Sequence, residues 1–170
     1  MHTGIMLSDI SIRTSLQPGD IGYITYLHGK LYKDEYSYGI VFETYVAEGL
    51  LEFYRQYDPQ KDAVWICEHN NKIVGFLLLM HRGNAAQLRY FILETDYRGI
   101  GLGNKLMNGF MDFLRLKHYT SCYLWTTNEL DTAAHLYKKH GFVLTEEKPS
   151  AAFGKPLKEQ RYDLSLPSLH

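Results

Sequence analysis

The stretch Tyr97-Arg98-Gly99-Ile100-Gly101-Leu102-Gly103-Asn104-Lys105 sets three glycines, alternating with larger residues, between an extended apolar segment and an amphipathic helical pattern. Without Cβ atoms, Gly99, Gly101 and Gly103 let the backbone curl until successive N–H groups point into one concavity. The start of the following helix adds partial positive charge, so the segment reads as a cradle for a pyrophosphate. An ordinary glycine-rich turn is the plainer alternative. Two familiar phosphate loops do not fit. A Walker A loop needs GxxxxGK followed by Ser or Thr, and this stretch has no Gly-Lys pair. A Rossmann fingerprint needs GxGxxG, and the last of those positions, counted from Gly99, is Asn104.

Upstream of the cradle, residues 63–68, 72–80 and 88–93 read as three strands joined by His69-Asn70-Asn71 and Arg82-Gly83-Asn84, an antiparallel meander. Before them, Ile10-Ser11-Ile12-Arg13 alternates as a strand, and Pro18-Gly19-Asp20 breaks it and offers Asp20 as a helix cap. Ile21, Ile24, Leu27 and Leu31 then mark one helix. Phe42, Tyr45, Val46, Phe53 and Tyr57 mark a second, closed by Asp58-Pro59. Downstream, Leu102, Leu106, Phe110, Phe113 and Leu114 share one helical face. A strand over 122–126, a helix over 130–140 stopped by Gly141, and strands over 142–146 and 160–166 complete the chain. The order β-α-α-β-β-β-α-β-α-β-β predicts an α/β fold in which helices pack on one mixed sheet, a single domain over 1–170.

Composition narrows the function classes. Eighteen Lys+Arg against 19 Asp+Glu give a formal charge of −1, with no basic face for nucleic acid. The longest strongly apolar stretch, 73–80, falls far short of the roughly 20 residues a membrane-spanning helix needs. Met1 to Met6 lacks a basic segment followed by an apolar run, so the expected location is cytoplasmic. Cys67 and Cys122 lie far apart with no CxxC spacing, and no HExxH occurs, so the expectation is two buried free thiols and no metal. The 14 tyrosines are the unusual number, and composition does not say whether they pack a core or line a site.

Arg98-x-x-Gly101-x-Gly103 directly after a strand resembles the pyrophosphate motif of the GNAT family of acetyl-CoA-dependent N-acetyltransferases, and Leu136-Tyr137-Lys138-Lys139-His140-Gly141-Phe142 resembles its second signature, Leu-Tyr-x-x-x-Gly-Phe. The element order is similar to that fold along essentially the whole chain. Gly19-Asp20-Ile21-Gly22, His28-Gly29, Glu35-Tyr36 and Phe42-Glu43 further resemble the acetyltransferase domains fused to MarR-type regulators. The resemblance implies acetyl-CoA as acetyl donor, no metal, and an amine acceptor on a small molecule or peptide. Homodimers are common in the family. It also implies a site: Arg98, Gly99, Ile100, Gly101, Leu102, Gly103 and Asn104 around the pyrophosphate, the backbone of Phe91, Ile92 and Leu93 near the thioester, and Asn128 on the pantetheine arm. Asn128 stands nine residues before Tyr137, where seven is frequent in the family.

Moving an acetyl group from a thioester to an amine needs a neutral amine, a stabilised oxyanion and a proton for the departing thiolate. Backbone N–H groups suit the oxyanion. A phenol with a pKa near 10 suits the thiolate, which makes Tyr137 the expected proton donor; a core aromatic on the Leu130, Ala133, Ala134, Tyr137 stripe is the alternative. The base is less legible. The strand before the cradle offers Gln87 and Arg89 and the next one Tyr123 and Trp125, so no glutamate stands where relatives carry one. Glu43 is the expected base, with Glu68 and His28 as further candidates. Tyr36, Tyr38, Phe42 and Tyr45 are the expected acceptor wall, suited to a cationic amine. A non-catalytic acyl-CoA-binding sensor that keeps the cradle without the base is the rival reading.

Overall fold

The computed structural model describes residues 4–168, so residues 1–3 of the N-terminal segment read above for a leader lie outside the described residues. The chain forms strand β1 (Ser11–Arg13), helices α1 (Asp20–Tyr36) and α2 (Ile40–Arg55), strands β2 (Ala63–His69), β3 (Lys72–Arg82) and β4 (Ala85–Leu93), helix α3 (Leu102–Leu116), strand β5 (Ser121–Thr127), helix α4 (Asp131–Lys139), and strands β6 (Val143–Ser150) and β7 (Leu157–Ser165). This is the expected mixed α/β order. The strand boundaries reach further than the apolar pattern, because β4 begins directly after the Gly83-Asn84 turn and carries three residues of hairpin before Leu88.

The seven strands run β1-β2-β3-β4-β5-β7-β6 in one sheet, antiparallel throughout except where β4 meets β5. The run from Ile73 to Met80 is apolar on both sides because helices cover both faces of β3. On one face Trp65, Cys67, Leu77 and Leu79 pack against Leu106, Phe110 and Leu114 of α3. On the other, Val64, Ile66, Phe76, Leu78 and Met80 pack against Ile24 and Leu27 of α1 and Val46, Leu50 and Phe53 of α2. Each such side chain contributes about 1.5–3 kcal/mol when fully buried. Cys67 and Cys122 are buried and free, and burial pushes the Cys67 thiol up to about 12, so neither is a thiolate nucleophile at neutral pH.

The expectation that Asp20 caps α1 is corrected. Gly19, at φ 95°, makes the turn into the helix, and the Asp20 carboxylate serves tertiary partners instead. It accepts from the Arg13 guanidinium at 2.7 and 3.0 Å and from the Gln17 N–H at 2.6 Å. A bidentate guanidinium holds a carboxylate more firmly than a helix N–H does, and here it ties α1 to β1.

Among the described residues no helix is long and apolar enough to cross a membrane, and no cluster of three or more His, Cys, Asp or Glu could hold a metal ion.

Candidate active site

The cradle opens α3. Gly99 and Gly101 adopt φ of 79° and 91°, left-handed backbone that a side chain would strain. Their turn leaves the N–H groups of residues 99–104 without an acceptor among the described residues, and the first helical bond runs from the Lys105 N–H to the Gly101 carbonyl at 3.1 Å. Gly103 lets the helix close on its neighbours, since a Cβ there would lie 3.3 Å from Leu136 and 3.6 Å from Phe91. Arg98 donates to the Leu93 carbonyl at 3.1 Å and forms a two-armed pair with Glu35 of α1 at 2.9 and 2.6 Å, tying the cradle to the first helix.

Beside the cradle the sheet parts. β4 and β5 pair only at Ala86 with Cys122 and Gln87 with Tyr123, so from Leu88 onward the β5-facing edge of β4 has no strand partner. β4 also carries one extra residue: Phe76 faces Ile92 while Leu78 faces Arg89, and Tyr90 takes φ 61° within this bulge. The gap between the strands is the floor of a cavity of about 1080 Å³ that runs from the cradle to the α1 and α2 side.

Tyrosines crowd this cavity. Tyr137 of α4 is buried, with ring centroids of Phe91, Phe142 and Tyr162 at 6.3, 6.1 and 6.2 Å. Burial raises its phenol above the ordinary value, so it keeps its proton at neutral pH. Tyr32 of α1, which lines the same cavity as Tyr137, is raised by burial first and by Tyr137 next. Tyr38 is raised by burial and shares a 2.8 Å hydrogen bond with Thr127. His28 is also buried: the Ile24 carbonyl, 2.8 Å from Nδ1, fixes the proton there and leaves Nε2 as an acceptor with no partner. Burial lowers His28 to about 4, so the ring is neutral.

The model of the Acetyltransferase (GNAT) domain matches residues 60–144, half of the chain, from β2 through the cradle and α4. The chain belongs to the GNAT family. An uncharacterized N-acetyltransferase of Methanocaldococcus jannaschii is 28% identical over 95 residues, 52% of this chain and 41% of that protein. The chain spans less than half the length of the curated relatives it matches. An acetyltransferase from Streptococcus agalactiae superposes with a TM-score of 0.73 at 21% identity, covering 94% of this chain and all of that one. The yncA acetyltransferase of Salmonella typhimurium, solved with acetyl-CoA, superposes with a TM-score of 0.69 at 17% identity, covering 94% and 95%. At these identities the superpositions show the GNAT fold.

Within this GNAT fold most expected site residues converge. Phe91, Ile92, Leu93, Arg98, Gly99, Gly101, Gly103, Asn104, Tyr36, Tyr38, Phe42, Tyr45 and Tyr137 all line the one cavity. Ile100 and Leu102 pack toward the core, so the backbone is what they present to the cradle. Glu43 lies outside the lining, wedged against Gly29 of α1, where a Cβ would sit 2.3 Å from its Oε1. Glu68 accepts from Arg13 at 2.7 Å on β2, also outside the lining. Asn128 extends the pairing of β5 with β7: its N–H donates to the Lys158 carbonyl at 3.0 Å and its Oδ1 accepts the Lys158 N–H at 2.9 Å.

The sequence reading missed Tyr32, Tyr90 and Glu129 as lining residues. Tyr32 had a signal, since His28, Tyr32 and Tyr36 follow one another at four-residue steps on one helical face. Glu129 accepts from Lys155 at 2.7 Å through Oε2, and its Oε1 is buried without a partner.

Proposed function

We propose that this chain moves an acetyl group from acetyl-CoA directly to a primary amine of a small molecule or peptide. One observation carries the reading: the unpaired N–H groups of the cradle, the open edge of β4 at its bulge and the Tyr137 phenol meet in one cavity. The residues present fit CoA, because the left-handed turns at Gly99 and Gly101 aim consecutive donors at one point at the start of a helix. When bound, acetyl-CoA supplies an activated acetyl thioester. Residues 99–104 hold its pyrophosphate. The β4 edge at Phe91, Ile92 and Leu93 offers N–H donors where a carbonyl oxygen gains charge. Tyr137 holds the proton that the departing sulfur takes. The neutral, buried ring of His28 stands behind the acceptor end of the cavity, where it does not repel a cationic acceptor, and the proton the amine nitrogen sheds passes to water in the open cavity.

Glu43 and Asn128 have no part in this assignment, given where they lie. Within the family we place the chain nearest the acetyltransferase halves of MarR-type fusions. His28, Glu35, Tyr36 and Phe42, part of the motifs that suggest this, all face the cavity. The free buried thiols support a reducing, cytoplasmic setting.

The sensor reading draws support from the lack of a strand glutamate: Gln87, at the usual place, is engaged by Arg82 at 2.8 Å and Tyr123 at 3.4 Å. Calorimetric titration with CoA followed by thiol release from acetyl-CoA over a panel of amines separates the two. Turnover on any amine establishes the enzyme; CoA binding with no turnover favours the sensor.

A further inference from the structure

Arg89 lines the cavity one residue before Tyr90, and its side chain is only 9% exposed. Its guanidinium carbon lies 4.7 Å from the centre of the Tyr90 ring and 5.5 Å from that of Tyr45, both lining residues. Ring faces attract a cation and hold its plane, which presets its hydrogen-bonding fork. Its counter-charge is weak. Glu52 Oε2 stands 3.6 Å from Nη1, and the other oxygen of that carboxylate is taken by Arg82 in a closer bond. The remaining polar neighbour of Nη1 is the Met80 sulfur at 3.9 Å. Two guanidiniums thus share one carboxylate on the α2 side of the cavity.

The other charges around this end are matched. Glu35 is paired with Arg98 and Glu129 with Lys155. His28 is neutral, and its partnerless Nε2 belongs to a ring that meets Tyr90 edge-on at 5.6 Å. A neutral imidazole and a preset guanidinium therefore flank the same tyrosine. One suits an amine, the other an anionic group on the same molecule.

We infer that the acceptor amine carries a carboxylate, as an amino acid does, and that Arg89 reads the carboxylate while the amine sits beside His28. This rests on the acetyl-transfer reading above. The aromatic wall of Tyr38, Phe42, Tyr45 and Phe153 then takes the apolar part of the acceptor.

The test compares matched amines: phenylalanine, phenylalaninamide and phenethylamine; methionine and methioninamide; lysine and cadaverine. Acetylation is followed as CoA release. The expected result is a kcat/KM about tenfold or more higher for the carboxylate-bearing member in at least one set, as a charge-assisted pair provides. Arg89→Gln should erase that preference, Arg89→Lys should keep a smaller one, and Glu52→Gln, which removes the competing carboxylate, should widen it. The preference is a ratio within one protein preparation, so a loss of folded Arg89→Gln cancels from it. Equal or better use of the members without a carboxylate by the unaltered protein, or a preference that survives Arg89→Gln, overturns the inference and leaves acetyl transfer standing. CoA binding with no release on these or any other amine overturns the acetyl-transfer reading, and the inference falls with it.

Discussion

His28 carries two consequences that follow from one hydrogen bond. With Nδ1 donating to the Ile24 carbonyl and the ring buried, the folded chain resists protonating it until about pH 4, whereas the unfolded chain protonates it near 6.5. Between those values the unfolded state binds more protons, so stability must fall as pH drops through the window, by up to about 3 kcal/mol, and change no further below it on this account. Asparagine at this position reaches the Ile24 carbonyl with its amide and does not titrate. Urea denaturation from pH 4 to 8 should therefore show a shallower acid slope for His28→Asn; an unchanged slope would mean that another group produces it. Tyr137 gives the complementary kinetic test. Phenylalanine keeps the ring among Phe91, Phe142 and Tyr162 and removes the proton, so Tyr137→Phe should lower kcat by about 100-fold while CoA affinity, measured by calorimetry, stays within a few-fold. Tyr137 was legible in the sequence because its neighbours form a signature. Arg89 was visible only as a departure from the family pattern, since its role depends on which way a bulged strand turns its side chains.

At the scale of elements, the cradle and the bulge differ in how they are written. The cradle is a local device: three glycines and a following helical stripe are sufficient to read it, and the structure adds that two of them need left-handed backbone. Valine at Gly101, where φ is 91°, combines a forbidden conformation with bulk over the N–H donors, so Gly101→Val should weaken CoA binding at least about tenfold and lower stability by about 1–2 kcal/mol. Calorimetry and urea denaturation measure the two effects separately. The β4 bulge is a tertiary device. From its left-handed position Tyr90 sends its hydroxyl against Gly49 of α2, where a Cβ would lie 1.5 Å from it. A lone glycine inside an amphipathic helix announces nothing about a strand 40 residues later. Gly49→Ala should cost about 1–3 kcal/mol by overpacking, and Tyr90→Phe, which removes the nearest atom, should recover part of it in the double variant. Strictly additive effects would mean that the helix shifts without pressing on the bulge.

Across the whole molecule, the two halves of the sheet join through very little strand pairing. β5, β7 and β6 meet β4 at two residue pairs, and the cavity occupies the space where further pairing would have been. The order of strands and helices was legible along the chain, but the insertion of β7 between β5 and β6 was not, because alternation marks a strand without naming its neighbours. That insertion fixes where Tyr137 sits, since Tyr162 of β7 is part of its packing. A net charge of −1 supplies no long-range pull on CoA, so the proposed binding relies on groups at the cavity itself, the donors of residues 99–104 first among them. A ligand seated on those donors and between the parted strands would tie the halves together only in the folded chain. CoA at about 100 times its dissociation constant should then add about 2.7 kcal/mol of stability, a rise in Tm of roughly 5–10 °C for a chain of this size. Thermal unfolding followed by circular dichroism reads this directly. Gly101→Val, unable to hold the pyrophosphate, should show little or no rise at the same CoA concentration, and an equal rise in that variant would place the CoA site away from the start of α3.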